Sequence, residues 1–126
     1  RYEVANNSYA KGIVLTLAND VVGTGPRLQL LTPDGDANTR IEREFSAWSK
    51  AVGLPEKLRT LRMVRATDGE GVALLTSNPK LPTSVQLDVR LVEADRVCTP
   101  SFNVATGSGV DGIVFDSAGN PLEYHV

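Results

Sequence analysis

The sequence predicts an α+β fold, with about three helices packed on a small, mainly antiparallel sheet that ends in a β-hairpin. Three observations predict it. Apolar residues recur at helical spacing through the first half of the chain. Residues 85–91 alternate between apolar and polar, as a strand with one buried face does. Near the end, two short apolar runs flank Ser117-Ala118-Gly119-Asn120, which is turn chemistry between hairpin strands.

Asn7 or Ser8 can cap the first helix. Tyr9, Ile13, Val14, Leu17, Ala18 and Val21 then share helical spacing, and Gly23-Thr24-Gly25-Pro26 stops the helix. Residues 27–31 alternate and read as a short strand, followed by turn residues at 32–36. Thr39 and Glu42 have capping-box spacing ahead of a helix whose face carries Ile41, Phe45, Trp48 and Val52. Gly53-Leu54-Pro55 closes that helix and starts a third, with Leu58, Leu61 and Val64 on its buried side. Asp68-Gly69 is a turn, residues 71–76 a strand, and Asn78 to Thr83, with two prolines, a loop. In the clearest strand, Val85, Leu87, Val89 and Leu91 are expected inside and Gln86, Asp88 and Arg90 outside. Residues 99–111, rich in Thr, Ser, Gly and Asn, read as a long and mobile loop. Residues 112–116 and 122–126 form the closing hairpin.

A chain of 126 residues suits a single domain with one core. Hydrophobic residues at 41% and charged residues at 22% exclude a disordered segment. The formal net charge of -2 argues against a free-standing nucleic-acid-binding module, which would be clearly basic. The single cysteine, Cys98, rules out an intrachain disulfide and a cysteine-based zinc site, and reads as a packed apolar thiol. No apolar run approaches the roughly 18 residues of a membrane span, and no signal peptide is visible. Beginning at Arg1 rather than Met and ending at Val126 inside what reads as a strand, the chain is expected to be a piece of a longer polypeptide.

The chemistry-bearing motifs resolve mostly into structure. Phosphate loops precede helices, where free N–H groups face the anion; Gly23-Thr24-Gly25 follows one and is expected to terminate it. Asp34, Asp36 and Asn38 open like a calcium loop, but Thr39 stands where glycine is required and Phe45 where a bidentate glutamate is required. They read better as an acidic lead into a helix. Asp68, Glu70, Asp88, Glu93, Asp95, Asp111 and Asp116 are scattered, and a hydrolase would need two of them held together. His125 is the only histidine, with Glu123 as its one acidic neighbour on the same strand face. No catalytic residue, metal ligand or cofactor site is expected, and the chain reads as a non-enzyme. The remaining candidates are Lys57, Arg59, Arg62 and Arg65 on the third helix. They are either a solvated face or a contact for a neighbouring subunit or for DNA.

Several strings, in order, carry a family resemblance. The opening Asn6-Asn7-Ser8-Tyr9-Ala10-Lys11-Gly12 runs on to Val21-Val22-Gly23-Thr24-Gly25. Then come Phe45 to Trp48, the stretch from Leu58 to Glu70 with its DGE turn, Val85 to Val97, and Gly112 to Val126. Together they resemble the N-terminal part of lambda-type bacteriophage portal proteins, over nearly the whole chain except 99–111. The resemblance implies the wing, the outer α+β region that precedes the stem and clip. It implies a structural segment of a ring of about a dozen subunits at a capsid vertex, the conduit for DNA and the head–tail connector. Implied partners are other portal subunits, terminase, capsid and connector proteins, with DNA passing through without sequence-specific binding and no membrane. The implied location is the virion, and the host bacterial cytoplasm during assembly. No catalytic residue carries over. Two other readings stay open. Residues 112–121 are similar to the C-terminal strands of minor pseudopilins, although the segment from Tyr9 to Val22 is short and amphipathic for a pilin. The chain could also be a non-catalytic interaction module of another kind.

Overall fold

The structure, a computed structural model, describes residues 1–98 and 109–126. Four helices and two small antiparallel sheets make up the expected α+β architecture. By contacts the chain falls into two compact units, residues 1–91 and 92–126.

The first unit opens with a single helical turn, α1 (Tyr2–Asn6), and then α2 (Ser8–Val22). Asn7 separates them because its side-chain oxygen accepts the free N–H groups of Tyr9 (2.9 Å) and Ala10 (3.4 Å). At the far end Gly23 takes φ +55° and donates its N–H to the Asn19 carbonyl, and Gly25 takes φ +94° and donates to Val22. The Gly-Thr-Gly segment is therefore the helix terminator expected of it.

Helix α3 (Gly35–Ala51) starts earlier than Thr39–Glu42 suggests. The cap is Asp34, whose carboxylate accepts the Ala37 N–H at 2.9 Å. A carboxylate at that place both satisfies a free donor and faces the positive end of the helix, so it outcompetes a start one turn later. Thr39 is left inside the helix, donating its hydroxyl to the Gly35 carbonyl, and Glu42 reaches out to accept the Leu30 N–H at 2.8 Å. That bond also explains why the strand expected at 27–31 does not form: Leu30 gives its N–H to a helix side chain instead of a neighbouring strand.

Gly53, at φ +63°, turns the chain directly into α4 (Leu54–Asp68), with Pro55 in the first turn where its missing N–H costs nothing. Strands β1 (Val72–Ser77) and β2 (Leu87–Val92) follow as a two-stranded sheet, and Asn78 donates its N–H to the Gln86 carbonyl next to the connecting loop. The core lies where these elements meet: Val52, Leu54 and Val89 are buried, with Phe45, Trp48, Leu58, Leu81 and Leu91 packed on them. The Phe45 and Trp48 rings sit 5.6 Å apart, and the Trp48 indole N–H donates to the Leu87 carbonyl at 2.7 Å, tying α3 to β2. Of the four strand residues expected inside, Val89 and Leu91 are. Val85, which lies before β2, and Leu87, at its start, remain 47% and 39% exposed, because the core cluster covers only the other end of the strand.

In the second unit a 3-10 turn (Ala94–Arg96) precedes a three-stranded antiparallel sheet, β3 (Gly109–Val110), β4 (Ile113–Phe115) and β5 (Pro121–Tyr124), in that spatial order. The expected hairpin is β4–β5. Its turn is clasped by Asp116, whose carboxylate accepts from the backbone N–H groups of Ala118 and Asn120 and from the Asn120 amide. The end of the segment expected to be a loop instead forms β3, and most of that segment, 99–108, lies outside the described residues. Cys98 is exposed rather than packed; its backbone, not its thiol, is anchored, by an N–H bond to the His125 carbonyl.

Candidate functional site

The four cations of α4 do not form one surface. At about 100° per residue, Lys57 lies roughly 140–160° around the helix from Arg59 and Arg62. Its ammonium is taken by Asp88 on β2, at 2.9 Å. Asp88 also accepts from the Asn78 amide and from its own neighbour's N–H at Val89. These bonds, that from Lys57 first, hold the Asp88 carboxyl down to about 2. Lys57 is thus part of an internal clasp between helix, strand and loop. Arg59 is half-buried, and its Nε has no hydrogen-bond partner among the described residues. Arg62 and Arg65 have no ion-pair partner among the described residues.

Arg62 and Arg65 stand beside a groove of about 490 Å³ between the end of α2 and the middle of α4. The two arginines line it together with Val21 and Val22 from α2, Leu58 and Leu61 from α4, and Gly25 and Pro26. Arg65 follows Leu58 and Leu61 on the same side of the helix by the 3.6-residue repeat, a signal that was present in the spacing.

The other unusual surface is α2 itself. It packs mainly against α4, and its one buried residue is Ala18. Tyr9, Ile13, Leu17 and Val21, four apart in sequence, run up its side at 84%, 68%, 38% and 62% exposure. The apolar face expected from the sequence is there, but within this unit most of it is uncovered. Asp20 lies on the same side, close in angle to Tyr9 and Ile13, and shares a shallow apolar surface with them.

Several of the acidic candidates serve structure. Asp68 is paired with Arg1, whose hydrogen bond is the main reason its carboxyl titrates below the usual range. Asp116 is likewise lowered, chiefly by the Asn120 amide in its turn. Asp34 caps α3, and Asn38 bonds with Thr32, so the residues resembling a calcium loop serve the start of a helix. His125 has Glu123 at 3.8 Å, as strand alternation implies. Among the described residues no three His, Cys, Asp or Glu side chains converge as a metal site would require, and no helix is long and apolar enough to cross a membrane.

No curated protein matches the chain. The family model described as phage portal protein, lambda family, matches residues 1–126, the whole sequence. The chain belongs to the lambda family of phage portal proteins. Portal proteins of this family are structural parts of the virion and assemble with other phage proteins. The ordered strings from Asn6 to Val126 had pointed there, and the match extends through the one stretch, 99–111, that carried no resemblance. It also favours the portal over a pseudopilin.

Proposed function

We propose that this chain is the wing segment of a portal subunit. It shapes and joins a ring of about a dozen copies at a capsid vertex, through which terminase drives DNA and to which the tail connector later binds. On this reading 1–126 is a non-catalytic structural segment, and ATP hydrolysis belongs to terminase. The observation that carries the reading is the family match over the whole chain. Its surface supports the same reading. Tyr9, Ile13 and Val21 on one helix are each more than half exposed. Ordinary monomers rarely leave such apolar groups open in contiguous patches.

Of the four cations, Lys57 is held by Asp88, while Arg62 and Arg65 line the groove between α2 and α4. A net charge of -2 suits a part of the subunit that does not grip DNA. The experiment is expression of the full-length subunit followed by electron microscopy and a duplex-binding assay in physiological salt. The reading expects closed rings and no micromolar DNA affinity from this segment. Monomers at every concentration would refute it.

A further inference from the structure

Ring closure requires two different surfaces on each subunit, because a head-to-tail contact joins unlike patches. The first unit carries two such patches, which adjoin at Val21. One is a ridge, Tyr9, Ile13 and Leu17 on α2, with the Asp20 carboxylate at its end. The other is the groove between α2 and α4, walled by Val21, Leu58 and Leu61, with Arg62 and Arg65 beside it.

Their chemistry is complementary. The ridge offers branched and aromatic side chains at a spacing of four, the pattern by which a helix lies in a hydrophobic groove. The groove offers aliphatic walls, with Leu58 and Leu61 about one helix turn apart along α4. Asp20 has no ion-pair partner among the described residues, and neither do Arg62 and Arg65. A carboxylate at the end of an apolar ridge and two guanidinium groups beside an apolar groove would satisfy each other, and Arg is suited to a carboxylate by its planar fork.

We propose that the α2 ridge of one subunit seats in the α2–α4 groove of the next, with Asp20 of the first copy paired to Arg62 and Arg65 of its neighbour. This rests on the portal reading and deepens it by naming the contact. DNA is a poorer occupant of the groove, since a phosphate backbone leaves the walls of Val21, Leu58 and Leu61 wet. Three side chains on one helix are far fewer than the roughly 20–30 residues a side of a standard interface. The ridge is therefore one contact among those that close the ring, and its strength is read in the assembled subunit rather than as a free dimer.

The test is charge exchange in the full-length subunit, read by sedimentation velocity and electron microscopy. Asp20→Arg alone, and Arg62→Asp with Arg65→Asp, should each raise the concentration needed for assembly at least tenfold. Asp20→Arg combined with Arg62→Asp and Arg65→Asp should recover most of that loss. Ile13→Asp should impair assembly without rescue. Ile13 is 68% exposed, so circular dichroism of that variant should match the wild type; Asp20→Asn serves if the arginine substitution disturbs folding. If the wild-type subunit forms rings and all variants form them equally well, this contact is wrong while the portal reading stands. If the arginine variants assemble normally but lose duplex DNA binding, nucleic acid is the occupant and the proposal falls. If the wild type never assembles, both fail.

Discussion

Gly23 and Gly25 lie two residues apart in the turn that leaves α2, and alanine at each should have unequal consequences. Both glycines have positive φ, +55° and +94°. A side chain there costs on the order of 1–3 kcal/mol in backbone strain. At Gly23 that is the whole cost, because a Cβ would meet nothing within 4 Å. At Gly25 the Cβ would lie 2.5 Å from Pro55 Cγ and 3.0 Å from Pro55 Cβ. The pyrrolidine ring is in the first turn of α4 and has no rotamer by which to retreat, so overpacking adds about 1–3 kcal/mol. Gly25→Ala should then unfold earlier than Gly23→Ala by roughly 4–24 °C, taking about 4–8 °C per kcal/mol for a unit of this size. Thermal and urea unfolding followed by circular dichroism measure both. Pro55→Ala in the Gly25→Ala background removes the nearer atom and should return much of the difference, giving a positive coupling energy. Equal destabilisation by the two substitutions, or no coupling to Pro55, would refute the account of how the end of α2 packs against the start of α4.

Other perturbations test the remaining elements. Trp48→Phe keeps most of the ring contact but removes the indole N–H that donates to Leu87, and should cost about 1 kcal/mol in urea unfolding. Asn7→Ala removes the cap of α2 and should cost about 1 kcal/mol, with a loss of helical signal at 222 nm. Asp88 titrates at about 2 when folded against an ordinary value of 3.8, so its contribution is complete above about pH 4 and is lost as pH falls toward 2. Asp88→Asn should lower the melting temperature at pH 7 and reduce its acid dependence between those values. Cys98 is exposed, and a thiol reagent should modify it in the native state at a rate close to that of the unfolded chain.

The helices were legible because their signals are local. Asn7, Gly23 and the Gly53-Leu54-Pro55 junction act through their own backbone, and the structure uses each as read. The start of α3 was misread because two caps were available and spacing alone did not rank them; Asp34 wins by adding charge to hydrogen bonding. The strand at 27–31 failed for a non-local reason, since the partner of Leu30 is Glu42 on a helix. Burial was the least legible property. Periodicity identified the apolar face of α2, but whether Tyr9 and Ile13 are covered depends on what else is present, and within the first unit nothing covers them. The candidate site behaved in the same way. The four basic residues were visible in sequence, while the separation of Lys57 from Arg62 and Arg65 depended on Asp88, distant in sequence and adjacent in space.

The most direct test of the central claim is a reconstruction of the assembled full-length subunit by cryo-electron microscopy. The account predicts a closed ring in which residues 1–126 form the outer wall, away from the axial channel. A ring whose channel is lined by this segment, or particles that remain monomeric, would contradict it.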